Sequence, residues 1–173
     1  MRDAPLPSGG EIQRGDAEAG ETTASDRRIP IYLRGAPTDA AVRGAPNLLA
    51  ALAATPLARV RSHSPEVEIL VLAAGRQLVT PCGRSNARCW VLLALPGSAS
   101  VEIRIGGQSH SLGEGGALVV DSSFGMATVN RVNREARILA FEIWHPELSP
   151  IERDALTALT TAIVEFDTRL ELA

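Results

Sequence analysis

The chain has 173 residues, 45% apolar and 21% charged, with a formal net charge of −3 and 17 basic residues that are all arginine. That length supports one globular core, and the acidic balance excludes the broad basic surface a nucleic-acid binder needs. No apolar run reaches membrane-spanning length, no basic-then-apolar signal segment follows Met1, and Cys82 and Cys89 make no disulfide framework, so a cytoplasmic protein without membrane contact is expected.

Residues 1–28 hold few bulky apolar side chains besides Leu6 and Ile12 and are rich in Gly, Ala and acid. They predict a disordered leader, because so little buried surface cannot offset the entropy of ordering the chain. Residues 29–45 read as a linker or edge segment. Ile29-Pro30-Ile31-Tyr32-Leu33 suits a strand, and Pro30, lacking an N–H, confines it to a sheet edge.

The domain is expected over residues 46–173. It opens with a short helix over 46–55, with Pro46 in the first turn and Leu48, Leu49, Leu52 and Ala53 on one face. Six β-rich runs follow, over 67–72, 90–95, 101–105, 117–120, 127–132 and 138–144. Turn signals at Gly75, Pro96-Gly97, Gly106-Gly107, 113–116 and Asn133 divide them. The pattern is mainly β, an antiparallel barrel or sandwich. A last helix starts at Ser149, with Pro150 in its first turn and Glu152 closing a capping box. Its stripe of Leu156, Leu159, Ile163, Phe166 and Leu170 predicts packing on the barrel, with a homodimer seam through this helix as the alternative.

The strand region carries an ordered set of motifs. Pro81-Cys82-Gly83-Arg84-Ser85-Asn86-Ala87-Arg88 comes first, then Ile103-Arg104-Ile105-Gly106-Gly107, Glu114-Gly115 and Asp121-Ser122-Ser123-Phe124. Trp144-His145-Pro146-Glu147-Leu148 closes the set. In this order they resemble the aspartyl/asparaginyl β-hydroxylase family of iron- and 2-oxoglutarate-dependent oxygenases. The likeness spans about residues 46–159. It implies a double-stranded β-helix, a jelly-roll or cupin-like fold, flanked by the short N-terminal helix and the amphipathic C-terminal one.

The resemblance also implies where cofactors would sit. The two iron-binding histidines of the family fall here on Pro81, which has no donor atom, and on Met126, whose thioether suits copper(I) better than iron(II). The oxoglutarate-binding positions fall on Leu70, Trp90, Leu92 and Ala136, none of which can pair a dicarboxylate. A register shift would let Arg134 or Arg137 replace the lost arginine, with Arg134 on the better strand parity. All six positions have changed while the scaffold motifs remain. No metal and no cofactor is therefore expected.

The changed residues share an apolar character. They predict a pocket for an apolar small molecule lined by Leu70, Trp90, Leu92, Met126 and Ala136, with Arg88 on the same strand parity as a donor at its mouth. Such a pocket suits a cofactor-independent cyclase or isomerase acting on a natural-product-type molecule, which it holds in a reactive fold. The alternative is a filled barrel serving as a non-catalytic ligand- or partner-binding pseudoenzyme. A hydroxylase with unorthodox ligands fits the residues least. Cys82 reads as a small hydrophobe rather than a nucleophile, His110 as solvent-facing, and His145 as part of the scaffold. Asn86 is expected to brace its turn, and Asp121 to supply local turn bonds.

Overall fold

The structure is a computed structural model that describes residues 26–83 and 85–171. Most of the expected leader lies outside the described residues. Arg27 and Arg28, placed in that leader by sequence, instead begin the first strand, because β1 (Arg27–Leu33) has a full partner in β3 (Val67–Leu72).

After β1 come β2 (Ala36–Pro37), α1 (Asp39–Gly44) and α2 (Pro46–Ala53). β3 is followed by β4 (Gln77–Thr80), β5 (Arg88–Ala94), β6 (Val101–Ile105), β7 (Gln108–Leu112), β8 (Ala117–Asp121), β9 (Met126–Val129) and β10 (Ala136–Trp144). The last described element is α3 (Pro150–Glu171). One sheet runs β2-β1-β3-β10-β5-β8 and the other β4-β9-β6-β7, with every pair antiparallel. The first and last of the strands β3 to β10 are neighbours, and the rest fold back between the sheets in nested pairs. That winding is the double-stranded β-helix expected from the motifs.

Sequence patterning missed β4 and β7 as strands. Gln-Leu-Val-Thr and Gln-Ser-His-Ser-Leu are the two edges of the smaller sheet, where half the side chains meet water and the apolar signal is weak. The run expected to reach residue 132 ends at Val129, because Asn130 turns the chain away. Helix α1 was also unforeseen. Thr38 caps it by accepting the Ala41 N–H at 3.2 Å while its hydroxyl donates to the Pro30 carbonyl at 3.1 Å, tying the helix to β1. Gly35 makes the tight turn before it: φ is +80°, and a Cβ there would lie 2.5 Å from the Ser64 carbonyl oxygen.

Strand β10 sits between β3 and β5 and is apolar on both faces, as a doubly covered strand must be. Leu139 and Phe141 point outward to Leu48, Leu49 and Leu52 of α2. Ile138 and Ala140 point inward to the barrel. The α2 stripe therefore anchors the helix as its sequence predicts, although Ala53 remains exposed.

Helix α3 departs from expectation. Its capping box forms: Glu152 Oε2 accepts the Ser149 N–H at 2.8 Å and the Ser149 hydroxyl at 2.7 Å, and Ser149 Oγ accepts the Glu152 N–H at 3.3 Å. The stripe, however, does not pack on the barrel. Leu159, Ile163, Phe166 and Leu170 are all exposed, and only Leu156 is half-buried. The helix rests on its own fold through a different flank, where Thr157, Thr160, Thr161 and Val164 are half-buried.

Candidate functional site

Register places the sequence-predicted residues on the inner walls of the barrel. Leu70 lies opposite Ile138, and Leu92 lies between Ala140 and Leu118. On the other wall Met126 lies between Thr80 and Ile105. Leu70, Leu92, Met126 and Ala136 are buried in one continuous cluster, and half-buried Trp90 packs against it. Ala136 pairs with Leu72 at the far end, so it contributes to the floor of the barrel rather than its mouth.

The mouth is lined by charge. Glu142 on β10 stands opposite Trp90, and its carboxylate accepts the Arg88 guanidinium at 3.2 Å and the Glu66 N–H at 3.1 Å. The other arm of Arg88 lies 3.3 Å from Nε2 of His63, so much of the expected donor at the mouth is already engaged. Glu68, on the same strand face as Leu70, holds Arg28 at 2.6 Å, and Arg28 extends to Thr80 of the second sheet at 3.4 Å.

Glu68 and His63 are shifted from their ordinary values. Burial pushes the Glu68 carboxyl up, and this outweighs the opposing pull of the adjacent Arg28. Burial, followed by the Arg88 charge, lowers His63, which favours the neutral imidazole. Glu68, Glu142, His63 and Arg28 were missed in the sequence. A signal existed: Glu68 and Glu142 interrupt apolar strands at the parity of Leu70 and Ala140, where a solvent-facing residue is not expected.

The two positions that the resemblance implies for iron come together but do not fit it. Pro81 directly follows Thr80, whose register partner is Met126, so the two iron positions are neighbours across β4 and β9. One has no donor atom, the other offers only a thioether. Among the described residues no group of three or more His, Cys, Asp or Glu side chains is arranged to hold a metal. Neither candidate arginine restores the dicarboxylate site. Arg134 donates to the Ser98 carbonyl at 3.1 Å, and Arg137 pairs with Glu135 at 2.8 Å on the surface.

The remaining polar residues have structural tasks. Ser85, rather than the exposed Asn86, braces the turn before β5 by accepting the Ala87 N–H at 3.0 Å. Asp121 accepts the Ser123 N–H at 2.8 Å, and this bonding to Ser123 lowers its pKa. His145 Nδ1 accepts the Glu147 N–H at 3.3 Å within the closing turn. His110 was expected to face solvent but is half-buried, because it pairs with Ile103 and shares that residue's inward parity. Cys82 is exposed, contrary to its reading as a buried hydrophobe. Cys89 is buried, and its thiol is pushed up by burial and then by Asp121.

Two grooves run along α3, of about 750 and 360 Å³. The larger lies between the Ser85–Ala87 turn, Asp121, His145 and the first turns of the helix. Neither is lined by Leu70, Trp90, Leu92, Met126 or Ala136.

A model of the family described as aspartyl/asparaginyl beta-hydroxylase matches residues 4–146. The chain belongs to that family. No curated protein matches it. Among solved structures, it is similar to a Cupin_2 domain of an XRE-family transcriptional regulator from Enterobacter cloacae. That match has 14% identity and a TM-score of 0.42, covering 46% of this chain and 81% of that one. A second is a sugar phosphate isomerase of the cupin superfamily from Silicibacter pomeroyi, with 15% identity and a TM-score of 0.36, covering 47% and 51%. No helix among the described residues is long and apolar enough to cross a membrane.

Proposed function

We propose that this hydroxylase-family member works without iron or 2-oxoglutarate, and binds an apolar small molecule at the barrel mouth to carry out a redox-neutral cyclisation or isomerisation. The observation that supports this most is the convergence of Leu70, Trp90, Leu92 and Met126 on one apolar lining beneath the Glu68–Arg28 and Glu142–Arg88 pairs. Apolar walls hold a flexible chain folded on itself, which lowers the entropic part of a ring-closure barrier. Glu68, paired with Arg28, supplies a carboxylate that takes a proton from one carbon and returns it at another, so atoms and electrons balance without a co-reactant. Arg28 beside it stabilises developing negative charge.

A second reading is favoured by the depth of burial inside the barrel. Leu92 is 1% exposed and Leu70 4%, which suits a filled barrel acting as a binding or partner protein. An active hydroxylase is the reading the donor set supports least.

Indole emission separates the first two readings. In a Trp144→Phe background Trp90 is the only remaining indole. A panel of uncharged polyenes and polycyclic compounds should then include ligands that change its emission saturably at one per chain. If no compound changes the emission, the barrel is filled and the catalytic reading is wrong.

A further inference from the structure

We propose that α3 pairs antiparallel with α3 of a second copy of this chain, seating Arg169 of that copy in the acidic groove beside the first turns of the helix. The stripe of Leu159, Ile163, Phe166 and Leu170 is 51–62% exposed on a helix whose half-buried side chains lie mainly on another flank. Its alternating three- and four-residue steps are those of a helix-pairing seam. Ala155 and Ala162 border the seam and allow two backbones to approach closely.

Charge selects the occupant and the direction. The larger groove places Asp121, Glu147 and Glu152 next to Leu156 and Leu159, at the N-terminal end of the stripe. Arg169 stands at the C-terminal end, and among the described residues no ion pair uses it. An antiparallel copy stacks Phe166 of the second copy on Leu156 and Ile163 of the second copy on Leu159. In that register position 169 of the second copy stands level with position 153, so Arg169 of the second copy lies one residue from the level of Glu152, and Asp167 of the second copy two residues from that of Arg153. Arg153 has its Nε buried without a hydrogen-bond partner. A parallel pair would set Arg169 beside its own copy and align the two helix dipoles unfavourably. The antiparallel arrangement is two-fold symmetric and therefore closes as a dimer. An anionic lipid surface is a poorer occupant, since Glu152, Asp154, Glu165 and Asp167 flank the stripe.

Sedimentation equilibrium of the full chain tests this, with twice the chain mass expected. Phe166→Asp, at an exposed position, should give the monomer mass with its helical circular dichroism retained. Arg169→Glu should raise the dimer dissociation constant roughly tenfold. In a Cys82→Ser background, a mixture of Leu156→Cys and Phe166→Cys chains should form a mixed disulfide, while either alone should not. Monomer mass at every concentration, self-linking of Leu156→Cys, or no effect of Arg169→Glu would each overturn the proposal.

Discussion

Replacing Asn130 with alanine should cost about 3 kcal/mol of stability or more, because each buried polar group left unpaired costs about 1–3 kcal/mol. Asn130 is fully buried. Its Nδ2 shares its two hydrogens among the carbonyls of Leu72 at 3.1 Å, Ala73 at 3.0 Å and Arg134 at 2.8 Å, and its Oδ1 accepts the Val132 N–H at 3.1 Å. One side chain thus fastens the end of β3 in the larger sheet to the β9–β10 connection leaving the smaller one. Asn130→Leu should be no better, since it fills the volume and still leaves the carbonyls without donors. Urea unfolding checks both variants. A loss under about 1 kcal/mol would mean that water replaces the amide without difficulty.

Leu92→Ala should cost about 2–5 kcal/mol, the range for truncating a buried leucine. Leu92 sits at the centre of the inner wall, between Ala140 and Leu118. Where it falls in that range is informative. A loss near 5 kcal/mol indicates a close-packed interior whose neighbours cannot relax, as the filled barrel requires. A loss near 2 kcal/mol indicates a wall already bordering free volume, as a ligand pocket requires. Thermal unfolding with and without an apolar ligand that fits the enlarged cavity gives the second measurement, because binding to the native state raises Tm.

Much of the barrel was legible because its turns and central strands carry strong local signals. Gly106-Gly107, the Ser149–Glu152 capping box and the continuous apolar run of β10 each specify one local structure. β4 and β7 were not legible, since an edge strand with half its side chains in water lacks the pattern that identifies strands. The resemblance pointed to Leu70, Trp90, Leu92 and Met126 one by one, and the fold brings them into one inner cluster. The charged rim was not read. Arg28 lay in a segment set aside as a leader, and His63 lies between elements. Glu68 and Glu142 look like ordinary surface residues until strand parity turns them inward. The α3 stripe was legible as a stripe, but periodicity does not tell which surface covers it.

On the proposed reading the barrel does not support oxygenase chemistry, because the resemblance places the family's imidazoles on Pro81 and Met126 and its dicarboxylate partners on Leu70, Trp90, Leu92 and Ala136. The direct measurement is calorimetric titration of the full chain with iron(II) and 2-oxoglutarate under anaerobic conditions, followed by admission of air and assay for succinate. No stoichiometric iron, no oxoglutarate binding and no succinate above the protein-free control are expected. One iron per chain, with succinate formed from oxoglutarate, would contradict the account.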